Sequence, residues 1–292
     1  MRTNYETPAE YAKKALEITE QTSAVGARRP EHFKEVMRKN RGALSIFGPY
    51  GPAKDGMERK NPVIVALGDS VTAGHFEYAG DPEVLFAKVD KGELEEGDVI
   101  EITDARECYL ERFRSHLIDK YEQTSVSTIN SGIAGDTMYG MQKRLYRDVI
   151  RYQPDLVLIN GSLNWGVECG DTETYRKLLL EVVNTIKNET KADIVLMTPN
   201  MDIPPCGLGA ANTEDADIPS FGQNIACTLQ DRVRVIRELA VQEEVCLADT
   251  YAVWEAYEAA GYPVKALLAN GMNHPSKTGH EMYARVLMKL MQ

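Results

Sequence analysis

Residues 63–74 read Val63-Ile64-Val65-Ala66-Leu67-Gly68-Asp69-Ser70-Val71-Thr72-Ala73-Gly74. Apolar residues run without a break from Val63 to Leu67, with Pro62 before them and Gly68 after. So short a run, apolar at every position and bounded by breakers, predicts a strand buried on both faces. Gly68 lets the chain turn sharply off the strand end. Ser70 then stands just past the carboxyl end of a central strand, where open α/β sheets carry their chemistry. Taken alone, the stretch fits equally well an ordinary strand-to-helix turn whose serine only caps the next helix.

Downstream the pattern repeats. Ser125–Ile129 is β-branched and strand-prone, and D-L-V-L-I (Asp155–Ile159) and D-I-V-L-M (Asp193–Met197) are two more apolar strands; Val245–Ala248 is a short last one. Between them lie helical periods at Cys108–Tyr121, Thr137–Tyr152, Asp171–Lys187 and Gln223–Val241. A closing helix follows at Thr278–Met291, with a capping-box pattern at Thr278 and Glu281. Strands alternating with helices predict a doubly wound, five-stranded parallel sheet with helices on both faces. Right-handed crossovers reduce the arrangements to few, of which the flavodoxin-like order 2-1-3-4-5 is the simplest.

Upstream, residues 1–60 stand outside this rhythm as an N-terminal helical arm, leaving 61–292 as the main domain. Ala9–Gln21 and Pro30–Lys39 are helix-prone, and Gly42, Gly48, Pro49, Gly51 and Pro52 punctuate the connection. A second irregular stretch follows Ser70. Glu77–Glu107 carries 11 acidic residues against 3 basic ones and reads as an acidic insertion of about 77–107, with a short strand near Val99–Ile102. It is either a solvated acidic excursion or, because it leaves directly from the Ser70 turn, a lid or rim of the site.

Composition bounds the function. With 33 basic against 44 acidic residues the chain has a formal charge of -11, which argues against nucleic acid or an anionic membrane as partner. No apolar run is long enough to span a bilayer, and the first residues form no signal-peptide core. Five dispersed cysteines without a C-x-x-C pair point to reduced thiols in a cytoplasmic protein and to no zinc site. No P-loop or H-E-x-x-H motif is present, so neither a cofactor nor a metal is expected.

The residues after each strand form a constellation. Gly68-Asp69-Ser70 follows the first, Asn130-Ser131-Gly132-Ile133-Ala134-Gly135-Asp136-Thr137 the second, and Asn160-Gly161-Ser162-Leu163-Asn164-Trp165 the third. Asn270-Gly271-Met272-Asn273-His274-Pro275 lies beyond the last. A serine hydroxyl needs a base to become a nucleophile, and His274 can serve. The oxyanion of acyl transfer needs fixed donors, and the backbone N–H groups of Ser70 and Gly135 with the Asn164 amide can supply them.

On these four blocks the chain resembles the SGNH, or GDSL-type, hydrolases. G-D-S-V at Gly68–Val71 is similar to the family's first block and N-S-G-I-A-G-D-T at Asn130–Thr137 to its second, which makes Gly135 the oxyanion glycine. S-L-N-W at Ser162–Trp165 keeps the asparagine of the third block but lacks its leading glycine and trailing aspartate, and His274-Pro275 keeps the end of the last. The family's aspartate three residues before the histidine falls on Gly271. The resemblance implies a serine esterase acting on a small-molecule ester, in particular on short acyl groups of a carbohydrate, with a homo-oligomer open.

With that aspartate absent, either Asn270 or a backbone carbonyl is left to orient His274; Asp249 reads as structural. Asp69 is expected to brace the Ser70 loop and His75 to line the pocket. Trp165 is either an aromatic platform for a sugar ring or a core residue. His280 reads as a packing residue, and His32 and His116 as bland. The long stretch after Thr198, through Pro204-Pro205-Cys206-Gly207, reads as a specificity wall. A lipase or thioesterase, a phosphate-binding flavodoxin-like module, and a sugar-binding protein without catalysis stay open as other readings.

Overall fold

The computed structural model describes residues 7–44, 61–78, 101–122, 125–203 and 226–292, with isolated positions 84, 87, 88, 91–93, 95, 98 and 224. Strand β1 (Val63–Gly68) is buried from its second residue onward. It lies between β4 (Ser127–Gly132) and β5 (Leu156–Asn160), followed by β6 (Asp193–Met197) and β7 (Cys246–Ala248). The order β4-β1-β5-β6-β7, parallel throughout, is the expected 2-1-3-4-5 arrangement. Register aligns Gly68 with Gly132 on one side and with Asn160 on the other, so three strand ends open on one edge.

Alternation along the strands splits the core into two layers. Ile64, Ala66, Leu158, Val195 and Met197 pack on one face. That layer is closed by α1 (Pro8–Gln21), α2 (Glu31–Leu44), α4 (Tyr109–Lys120), α8 (Thr250–Ala259) and α9 (Lys277–Leu290). Val65, Leu67, Val157, Ile159 and Leu196 face the other way, against α5 (Met138–Asp148), α6 (Thr172–Glu189) and α7 (Leu229–Gln242). Between β1 and β2 (His75–Tyr78) sits the one-turn α3 (Ser70–Ala73), and β2 pairs antiparallel with β3 (Glu101–Thr103). Outside that pair, residues 104–107 and a few isolated positions, the acidic insertion lies beyond the described residues.

The arm builds the same core. Ala15, Phe33 and Met37 are fully buried, and Val25 bridges Ala248 to extend the β7 edge. Thr7 and Glu10 form a reciprocal capping box that starts α1.

Two helix starts and one whole helix differ from expectation. Helix α7 begins at Leu229, because Thr228 and Asp231 form the capping box there and Asn224 bonds the chain ahead of it to Gly166 and Gly170. The cap of α9 is Ser276, whose hydroxyl accepts from the Gly279 N–H; Glu281 pairs with Arg285 instead. Helix α8 has no counterpart in the sequence reading: Tyr251, Val253, Trp254 and Tyr257 are buried, which leaves little polar face for a periodic signal.

Candidate active site

The turn from β1 into α3 is built by close approach. A Cβ on Gly68 would stand 1.9 Å from Thr72 Oγ1 and 2.7 Å from the Asn160 carbonyl, so only glycine fits where three elements meet. Asp69 caps α3 by accepting the Val71 N–H at 3.0 Å. Ser70 follows it, buried but for 5% of its surface.

His274 reaches Ser70 from the far end of the chain. Its Nε2 lies 3.0 Å from Ser70 Oγ, and its Nδ1 lies 3.2 Å from the carbonyl oxygen of Phe76 on β2. The carbonyl can only accept, so it holds the proton on Nδ1 and leaves the Nε2 lone pair facing the hydroxyl. The backbone carbonyl is therefore what orients the histidine. Asn270 instead shapes the loop that presents the ring, because its Oδ1 accepts the N–H groups of Met272, Asn273 and His274 at 2.9–3.0 Å. Gly271, at φ +72, occupies the left-handed conformation this loop requires. Asp249 is structural, held by Arg237 and Thr198. The His75 ring stands edge-on to His274 with centroids 5.9 Å apart, so it does border the pair.

Three donors face the same edge. Among the described residues, neither the Ser70 nor the Gly135 N–H gives its proton to another protein group. Gly135 has φ +71, in the turn where the Asp136 N–H bonds Ile133 O at 3.1 Å, and a Cβ there would meet no protein atom within 4 Å. The Asn164 amide gives one hydrogen to the Asp136 carbonyl at 3.2 Å, which leaves its second for a ligand. This set can stabilise a developing oxyanion.

Two charged residues that the sequence reading passed over tie these parts together. Arg144, 8% exposed, donates to the carbonyls of Gly68 and Ser131 and to the carboxylates of Asp136 and Asp148, all at 2.6–2.8 Å. It thereby links the Ser70 turn to the Gly135 loop. Its signal is positional, since it lies three residues after Met141 and one before Leu145, on the apolar stripe of α5. Asp136 carries both an Arg144 contact and the Asn164 contact. Phe76 offers no such signal, because its backbone carbonyl makes the contact.

Burial sets the electrostatics. Asp69 is wholly enclosed, and loss of solvation pushes its carboxyl up to about 7, against the pull of the Val71 N–H. His280, also enclosed, accepts the Tyr109 N–H on Nδ1 at 3.1 Å, and burial pushes it down to about 3. It packs on the Phe76 ring, as a core histidine.

Trp165 is a core residue. It is 1% exposed, its indole N–H donates to the Gly170 carbonyl at 3.0 Å, and Tyr139 and Tyr175 cover its ring, so it offers no platform to a ligand. The stretch expected to form a specificity wall lies mostly outside the described residues, Cys206 with it. Among the described residues, no group of three or more His, Cys, Asp or Glu side chains is placed to hold a metal, and no helix is long and apolar enough to cross a membrane.

A serine and histidine in hydrogen-bond contact, with N–H donors in the loops at the carboxyl edge of a doubly wound sheet, suit an acyl-transferring α/β enzyme. The chain belongs to the GDSL-like lipase/acylhydrolase family, whose model matches residues 66–282. It is a carboxylic ester hydrolase. A curated relative, an acetylxylan esterase of Geobacillus stearothermophilus, is 27% identical over 183 residues, covering 58% of this chain and 74% of its own. The crystal structure of Axe2, an acetylxylan esterase from the same organism, superposes with a TM-score of 0.54 at 23% identity, over 79% of this chain and 94% of that one. LAE5, an alpha/beta hydrolase from the metagenome of Lake Arreo, gives 0.53 at 21% identity over the same shares. Catalytic mutants of Axe2 have been solved at an aspartate and at a histidine three residues further on; here Gly271 stands three before His274.

Proposed function

We propose that the protein removes short acyl groups, acetyl foremost, from a carbohydrate by way of a covalent acyl-enzyme. The observation that carries this is the 3.0 Å contact of His274 Nε2 with Ser70 Oγ, with the Phe76 carbonyl behind the ring. Ser70 Oγ attacks the ester carbonyl carbon while His274 Nε2 takes its proton. The carbonyl oxygen, now negative, is held by the N–H groups of Ser70 and Gly135 and by the Asn164 amide. His274 returns the proton to the sugar oxygen as the ester bond breaks, and the alcohol departs. Water then gives a proton to His274 and attacks the acyl-serine; the tetrahedral adduct collapses, the carboxylic acid leaves, and Ser70 recovers its proton.

The acetylxylan esterase similarity supports the carbohydrate assignment. Four buried, unpaired thiols, at Cys108, Cys169, Cys227 and Cys246, suit a reducing, cytoplasmic setting. The test is a chain-length series of p-nitrophenyl esters beside acetylated xylosides, with Ser70→Ala as control. Fastest turnover of acetyl esters, abolished by S70A, is expected. Preference for acyl chains of about eight carbons or more would overturn the acetyl assignment, and undiminished turnover by S70A would overturn the mechanism.

A further inference from the structure

We propose that Tyr139 forms a sugar-stacking subsite beside the oxyanion hole, seating the pyranose ring that carries the scissile acyl group. This rests on the carbohydrate reading above. Tyr139 is the second residue of α5 and is 38% exposed. One face of its ring lies parallel to Trp165, at an interplanar angle of 2° with centroids 5.7 Å apart. Trp165 is itself immobilised, by its hydrogen bond to Gly170 and by the Tyr175 ring set against it at 82°. The exposed part of Tyr139 is thus the outer member of a fixed three-ring cluster.

The position of this cluster matches the chemistry. Trp165 directly follows Asn164, the side-chain donor of the oxyanion hole. Asp136, whose carbonyl receives the other hydrogen of that amide, is three residues before Tyr139. Ile133, Ala134 and Gly135 on the same loop are exposed, so the stretch that leads from the proposed donors to the tyrosine is open to a ligand. Pyranose rings present C–H groups of slight positive charge, and the negative face of an aromatic ring attracts them. A tyrosine already held in one orientation loses little rotamer freedom when it binds. Tyr146, two turns on in α5, is 72% exposed but has no ring packed on it among the described residues.

The experiment compares kcat and KM on p-nitrophenyl acetate and on an acetylated methyl xyloside for the wild type, Tyr139→Leu, Tyr139→Phe and Tyr146→Leu. Leucine still covers Trp165 but has no ring face, and phenylalanine keeps the face without the hydroxyl. The expected result is a rise in KM for the xyloside of about tenfold in Y139L. Its activity on p-nitrophenyl acetate should stay within about twofold of the wild type, and Y139F and Y146L should behave as the wild type on both. An equal loss on both substrates, or an unchanged xyloside KM in Y139L, overturns the subsite while the wild-type enzyme still deacetylates the sugar. A wild type that hydrolyses p-nitrophenyl acetate but not the xyloside overturns the carbohydrate assignment and the subsite with it.

Discussion

Ser70 and His274 are 204 positions apart in the chain, yet their side chains meet at 3.0 Å. Behind the histidine stands the Phe76 carbonyl. A carbonyl oxygen fixes the tautomer, but it carries no full charge to stabilise the imidazolium. On the proposed mechanism the N–H groups of Ser70 and Gly135 and the Asn164 amide hold the oxyanion, and the Asn164 side chain is directly testable. Asn164→Ala should lower kcat on p-nitrophenyl acetate by about 100- to 1000-fold with little change in KM. Asn270 acts one step away from the ring. Asn270→Ala strips three N–H groups of their acceptor and should loosen the His274 loop, lowering kcat with KM held. Asn270→Asp keeps an accepting oxygen in the same place but loses the amide donor to Asn273 Oδ1, so it should retain more activity than Asn270→Ala; equal losses in the two variants would show that the three N–H contacts are not what matters.

At the level of elements, the site depends on how α5 is bound to the strand ends. Arg144 spans β1, β4 and the Gly135 loop with one guanidinium, and the neutral carbonyls of Gly68 and Ser131 take two of its hydrogen bonds. Removing one partner of a buried ionic network leaves the others uncompensated, at about 3–5 kcal/mol. Arg144→Met should lower the unfolding free energy by about that amount in urea titrations. It should also depress kcat on p-nitrophenyl acetate under conditions where the variant is still folded. Strand β2 has a comparable double role. It begins where α3 ends, at Gly74, and so brings the Phe76 carbonyl to His274 and the Phe76 ring to His280.

Across the whole molecule, two enclosed titratable groups pull stability in opposite directions with pH. Asp69 holds its proton to about 7 when folded, while an unfolded aspartate releases it near 4. Its contribution is fully present below about 4 and is lost as pH rises through 7. His280 is pushed down to about 3 when folded, against roughly 6.5 unfolded. Its contribution is present above about 6.5 and is lost as pH falls towards 3. The two slopes offset each other between about pH 4 and 6.5. Asp69→Asn removes one of them. The stability of D69N relative to wild type should then rise with pH between about 4 and 7, by at most about 1.4 kcal/mol per unit. Denaturant unfolding at a series of pH values measures it, and a difference independent of pH would show that Asp69 ionises normally in the folded protein.

The unbroken apolar run at Val63–Leu67 and its counterparts determined the sheet, because a strand buried on both faces must be apolar at every position. The right-handed crossover then left little choice of order. That Ser70, Gly135 and Asn164 come to one edge was readable for a related reason, since strand ends in such a sheet share it. Tertiary structure alone decided the rest. Every residue has a carbonyl, so no sequence pattern marks that of Phe76 as the partner of His274. Helix α8 hid because its buried rings erase the periodic contrast. Trp165 and Tyr139 are both aromatic, and only the packing of the one beneath the other made the first a core residue and left the second at the surface.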